Sequence, residues 1–218
     1  MLSYYKRLPQ PALTVEAARL ALMRGADVNA DDFDDAKTPL HQAVILDNTM
    51  LATMLLQSGA DVSRRCRMGC TPLFFASSDT MVRLLLAYGA DINARDNNAA
   101  SPLMRVSLAA ALALIELGAS VRLRDLDGNE ALHFAQDPEL ARRLLVAGAS
   151  TLALNLRHVT PLESALVRDA PGDTVRLLKN AYLRENSSAR AGLLVETPLL
   201  VGALTPTKRP AKRPRNRI

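Results

Sequence analysis

Tryptophan is absent from this 218-residue chain, and aromatic residues together make up only 4% of it. A core with so few rings must be assembled from Ala, Leu, Val and Met, which suits thin layers of closely packed helices and not a β-sandwich. Cysteine is limited to Cys66 and Cys70. Two are too few for a disulfide framework, and no second Cys/His pair completes a zinc site, so no metal or cofactor is expected and a reducing, cytoplasmic home is. No run of 18 apolar residues occurs, and Glu16 and Arg19 interrupt the stretch after Met1 before a signal-peptide core could form. The expectation is a soluble, unprocessed monomer without membrane insertion. Enzyme signatures are missing as well: there is no Gly-rich phosphate loop, H-E-x-x-H, C-x-x-C or G-x-S-x-G. No catalytic residue is predicted.

Apolar residues are plentiful, at 49%, so a chain of this length can bury a core as one domain with a tail. Charge is unevenly placed. Lys208, Arg209, Lys212, Arg213, Arg215 and Arg217 supply six cations of a net +5, which leaves the rest of the chain at −1. The basic character belongs to the tail, and a nearly neutral body does not announce a nucleic-acid binder.

The chain repeats itself. Gly25-Ala26-Asp27-Val28-Asn29 recurs as Gly59-Ala60-Asp61-Val62-Ser63, Gly89-Ala90-Asp91-Ile92-Asn93, Gly118-Ala119-Ser120-Val121 and Gly148-Ala149-Ser150, at intervals of 34, 30, 29 and 30 residues. A second element keeps the same beat: Thr38-Pro39-Leu40-His41, Thr71-Pro72-Leu73-Phe74, Ser101-Pro102-Leu103-Met104, Glu130-Ala131-Leu132-His133 and Thr160-Pro161-Leu162-Glu163. Thr or Ser before Pro starts a helix, because the hydroxyl caps a free N–H and Pro fits the first helical position; Glu130-Ala131 should cap less well. Gly ends the second helix by entering the left-handed region. Each unit is therefore helix, turn, helix and projecting loop, and must stack on its neighbours to bury its apolar faces.

At these residues the chain resembles the ankyrin-repeat family, over roughly residues 12 to 183. The resemblance implies an all-α solenoid of helix-turn-helix units with projecting β-hairpin-like loops. It places an N-terminal cap at about 12–30 and repeats starting near 33, 66, 96, 125 and 155 within a domain of 1–185. Gly59 follows Thr38 by 21 positions, but the corresponding spacing is 18, 17 and 18 in the next three units, so about three residues are missing from the turn between helices, as in compact bacterial and viral members. Residues 186–204, beginning with Asn186-Ser187-Ser188, form a linker or degenerate capping helix, and 205–218 a disordered basic tail.

The family resemblance implies a binding module, an adaptor, inhibitor or effector that holds another protein on loop tips and concave helix faces. In this role His41 and His133 would brace neighbouring loops, and His158 would be a solvated tip residue. Stacking lines up Arg65, Arg95 and Arg124 as a row for an acidic partner, flanked by Arg67 and Arg157, and replacing the row should leave stability unchanged. The first tip is acidic, with Asp31, Asp32, Asp34 and Asp35. Phe74, Met104 and Arg105 are the concave-face candidates, with Phe75 assigned to the core and part of the Phe74 ring exposed. Cys66 and Cys70 are read as small loop residues, with a redox pair as the alternative. Lys208, Arg209, Lys212, Arg213 and Arg215 suit a nuclear import signal, and nucleic-acid association is the alternative function.

Overall fold

The structure is a computed structural model that describes residues 14–32 and 34–196. Among the described residues there are helices and no strands. The outer layer is α1 (Val15–Met23), α3 (Thr49–Gln57), α4 (Asp79–Ala87), α5 (Leu108–Glu116), α6 (Pro138–Val146) and α8 (Gly172–Glu196), and the inner layer begins with α2 (Pro39–Ile45) and ends with α7 (Pro161–Val167). Between α2 and α7 the inner layer consists of single 3₁₀ turns, Pro72–Phe75, Pro102–Met104 and Ala131–Phe134. Each element packs on the one before and after it in its own layer. This is the solenoid that stacking requires.

The missing residues of the compact units are thus taken from the inner helix itself, which is seven residues long in α2 and α7 and a single 3₁₀ turn elsewhere. That changes the caps. Thr160 Oγ1 accepts the Glu163 N–H at 3.3 Å, while Thr160 N–H and hydroxyl both donate to Glu163 Oε2. Thr71 and Ser101 make no such bond, contrary to the expected hydroxyl caps. In a 3₁₀ turn the third N–H already reaches the cap carbonyl, Phe74 to Thr71 at 3.0 Å and Met104 to Ser101 at 3.1 Å, so the donor that the hydroxyl caps in α2 and α7 is already satisfied. The Ser101 hydroxyl is buried without a partner.

The core runs through every unit as fully buried Leu40, Leu55, Leu73, Leu85, Leu114, Leu132, Leu144 and Leu178, with Ala52, Ala110, Ala111 and Ala141 letting the layers approach. Each such leucine contributes about 1.5–3 kcal/mol of burial, so the stack rests on many similar terms. Gly59 shows how an outer helix stops: its φ of 88° lets Ala60 N–H return to Leu55 O at 2.9 Å.

The linker expected at Asn186-Ser187-Ser188 is corrected, because α8 continues through it to Glu196. The Ser187 hydroxyl donates to Leu183 O at 2.7 Å, so this serine turns its bonding capacity onto the helix. Glu185 also fixes the helix in place: its carboxylate accepts Thr151 N–H at 2.8 Å, Thr151 Oγ1 at 2.5 Å and the Ser150 hydroxyl. Burial works against the charge, but these hydrogen bonds outweigh it and hold the Glu185 pKa below the usual carboxylate range. α8 thereby closes the last loop in place of a further repeat. Residues 197–204 and the basic tail lie outside the described residues.

Candidate protein-docking surface

Each loop is a tight hairpin closed by two backbone bonds, such as Asp96 N to Ala100 O and Ala99 N to Asp96 O, both at 3.0 Å, and Asp125 N to Asn129 O and Gly128 N to Asp125 O, both at 3.0 Å. The residue that starts the hairpin holds it from inside. Asp96 Oδ1 accepts the N–H of Asn98 at 2.8 Å and of Ala100 at 2.9 Å, and Asp32, Asp125 and Asn155 do the same in their own loops. Successive tips are then joined by Arg67 N to Asp35 O, Asn97 N to Met68 O, Leu126 N to Asn98 O and Leu156 N to Asp127 O, at 2.7 to 3.0 Å. The contact is close: a Cβ on Gly69 would lie 2.8 Å from the Asn97 backbone nitrogen. The result is a continuous ribbon of tips. His158 sits on it exposed and in the left-handed region, with φ 58°.

Histidine bridges bind the ribbon to the inner layer. His41 Nδ1 accepts Thr38 N–H at 3.1 Å, and its Nε2 faces Cys70 O at 3.2 Å. His133 repeats this, with Nδ1 accepting Glu130 N–H at 3.1 Å and Nε2 facing Val159 O at 3.2 Å. The geometry demands the neutral Nε2–H tautomer, and burial lowers both pKa values. Glu130 is itself buried, and burial raises its pKa against the pull of Arg124 and Arg122.

Phe74 occupies this same slot and is therefore buried, 5% exposed, against Cys66 and Cys70. The expectation of a partly exposed Phe74 and a core Phe75 is reversed, because the signature histidine position points into the inter-loop space. Phe75 is the half-buried ring, edge-on to His41 with Lys37 Nζ 5.6 Å from its centre. Both cysteines are buried free thiols, and burial with the neighbouring Cys66 pushes Cys70 up to about 11, which suits packing and not nucleophilic chemistry.

The arginine row is in register, but its guanidinium groups have structural partners. Arg65 Nη2 donates to Arg95 O at 2.7 Å, Arg95 to Arg124 O and Arg124 to Leu154 O, each reaching the next repeat. Arg157 is exposed at the last tip, and Arg67 on the second tip is held through its backbone at both N–H and carbonyl. On the acidic first tip, Asp31 lies 3.4 Å from Arg64 and Asp35 pairs with Lys37 at 2.8 Å.

The short inner turns leave the concave face recessed between α2 and α7, whose last turns have no counterpart in the middle units. Exposed Leu46 stands at one end and exposed Leu166 and Val167 at the other. Within the recess a cavity of about 570 Å³ is lined by half-buried Met104 and Phe134, exposed Arg105 and Arg168, the carboxylates of Asp125 and Asp127, and the Leu126 tip. Arg105 is tied at 2.8 Å to the buried Asp96 carboxylate, and the Arg168 guanidinium stacks 4.8 Å from the Phe134 ring centre. Leu126 lies on the cavity rim, and Leu156 holds the same repeat position on the adjacent tip; the two are 65% and 70% exposed. Sequence reasoning selected Met104 and Arg105 but missed Phe134, Arg168 and these leucines. Aligning the tips by apolar as well as charged residues would have found the leucines.

Residues 13–96 match the family model for ankyrin repeats, in three copies. A putative ankyrin repeat protein of fowlpox virus is 36% identical over 63% of this chain and 21% of its own length. The nematode Caenorhabditis elegans homolog of ankyrin repeat and LEM domain-containing protein 1 is 41% identical over 39% of this chain and 12% of its own. Mouse ankyrin repeat and SOCS box protein 6 is 36% identical over 40% of this chain and 22% of its own. The chain thus spans less than a quarter of these relatives. Ankyrin repeats are generally protein–protein interaction modules and typically lack enzymatic activity. With the repeats recognised in sequence and stacked in two layers, the chain is an ankyrin-repeat protein.

Proposed function

We propose that the chain works by holding another protein in the concave recess and against the leucine-bearing tips, as an adaptor, inhibitor or effector. The observation that carries this reading is the recess itself: half-buried Met104 and Phe134 beside the Arg105 and Arg168 guanidinium groups and the Asp125 and Asp127 carboxylates, under the exposed Leu126, with exposed Leu156 on the adjacent tip. Large exposed apolar side chains around a concavity mark docking surfaces. The chemistry favours a partner that inserts an apolar side chain with a carboxylate close to it. Arg168 makes no ion pair among the described residues, and its stacking on Phe134 leaves the fork poised for a bidentate contact. The arginine row would assist, since one guanidinium nitrogen of Arg65 and of Arg95 and two of Arg124 are committed to carbonyls, and the remaining donors are available to an acidic partner.

The mechanism is rigid presentation. Loops stitched to one another and to the inner layer lose little conformational entropy when a partner docks. The test is site-specific photo-crosslinking in the native cell, with the photoreactive residue at Leu126, at Leu156 or at exposed Ala109 on α5. One protein captured from Leu126 and Leu156 but not from Ala109 is expected, with capture abolished by Phe134→Asp. The same protein captured equally from Ala109 would place the interface elsewhere.

A further inference from the structure

The convex side carries a second candidate surface. The seam between α4 and α5 is closed by an ion pair across it, Arg83 to Glu116 at 3.4 Å. Between α6 and α8 no ion pair crosses among the described residues. Arg142 pairs with Glu139 on its own helix, and Arg176 with Asp173 on its own helix. The seam remains open as a groove of about 590 Å³, floored by Leu145, Leu177 and Ala181, with Val146 82% exposed at its edge. Its rim carries Arg142 on one wall and Arg176 and Arg184 on the other, against the carboxylate of Asp173. Glu139 is shared by Arg142 and Arg143, and Arg184 has no ion pair among the described residues.

We propose that the groove between α6 and α8 is a second docking surface, which takes an acidic amphipathic helix of another protein. The apolar floor calls for a stripe of small and aliphatic side chains at helical spacing, and the cationic rim calls for carboxylates flanking it. Arg176 and Arg184 are eight residues apart on α8, about 12 Å along its axis, which matches acidic residues two turns apart on the ligand. The chain's own residues after Glu196 contain no Asp or Glu, so its C-terminal segment does not complement the rim. The groove lies on the outer helices and the recess on the inner layer, so one protein could hold two partners at once.

The test uses the full chain and a synthetic fluorescein-labelled helix of about 16 residues, with a Leu/Ala stripe flanked by Glu. Controls are a scrambled peptide of equal composition and a Lys-for-Glu version. Fluorescence anisotropy should give at least about tenfold tighter binding of the Glu helix than of either control, and a loss of about tenfold or more in Arg142→Glu/Arg184→Glu with the melting temperature retained. Backbone amide NMR shifts on peptide addition should fall on α6 and α8. Equal binding of the scrambled peptide, shifts confined to the loop tips or recess, or an unaffected double variant would overturn the proposal. So would concentration-dependent self-association abolished by the same double variant, since the occupant would then be a second copy of this chain. Leu126→Asp and Leu156→Asp should leave peptide binding unchanged, which separates this groove from the recess.

Discussion

Lowering the pH from 7.5 to 5.5 should destabilise the fold through His41 and His133. Both rings are buried, 0% and 2% exposed, with Nδ1 turned to a backbone N–H and Nε2–H to a carbonyl of the next loop. A second proton would have to sit on Nδ1 facing a donor, in a site that burial already makes hostile to charge, so the folded pKa values are lowered. As pH falls past about 6.5 the unfolded chain takes up these protons first. The stabilisation is therefore complete above that value and declines as pH drops toward the folded pKa values. If the native rings stay neutral throughout, each histidine removes about 1.4 kcal/mol over this interval, and the two together about 2.7 kcal/mol as an upper limit. Glu130, with its raised pKa, opposes the trend, while Glu185 and Glu163, with lowered pKa values, act only below about their ordinary 4.5. Urea denaturation followed by circular dichroism at both pH values measures the difference. His41→Phe and His133→Phe copy the occupant that position 74 already has. Each should lose about 1–3 kcal/mol at pH 7.5 by orphaning an N–H and a carbonyl, and each should reduce the pH dependence by about half. A variant with the full wild-type pH dependence would refute the assignment of the linkage to these rings.

Replacing Arg65, Arg95 and Arg124 together by Ala should lower stability by about 0.5–1 kcal/mol per residue, because exposed charge-assisted bonds to the next repeat are lost; an unchanged melting curve would return the row to a purely recognitional role. Glu185→Ala should cost about 1.5–3 kcal/mol at neutral pH through its bonds to Ser150 and Thr151, and the penalty should shrink as pH falls below the usual carboxylate range, where the wild-type group also loses its charge. Glu130→Gln should stabilise by about 1 kcal/mol at pH 7.5, since Oε2 is buried without a partner, with the gain fading toward pH 4 where the carboxyl is protonated in both states; a loss of stability at pH 7.5 would show that its charge is favourably held.

What the sequence determined by itself is the part of the fold written in local chemistry. Thr160-Pro161 and Thr38-Pro39 start helices, and Gly59 stops one, through bonds that close within five residues. Repetition of those signals at a fixed interval implies stacking, because no unit can bury its own apolar face. The register of Arg65, Arg95 and Arg124 follows from the same interval. What only the tertiary structure decided depends on a neighbour about thirty residues away. The burial of Phe74 and half-exposure of Phe75 are set by where the signature position points, between one hairpin and the next. The destinations of the arginine donors are carbonyls of the following repeat, which no periodicity reveals. Glu185 gained its role by folding back on Ser150 and Thr151, and the recess exists because α2 and α7 retain a turn that the units between them lack. Local hydrogen bonds can be read from adjacent residues, whereas the direction of a side chain is settled by the surface that packs against it.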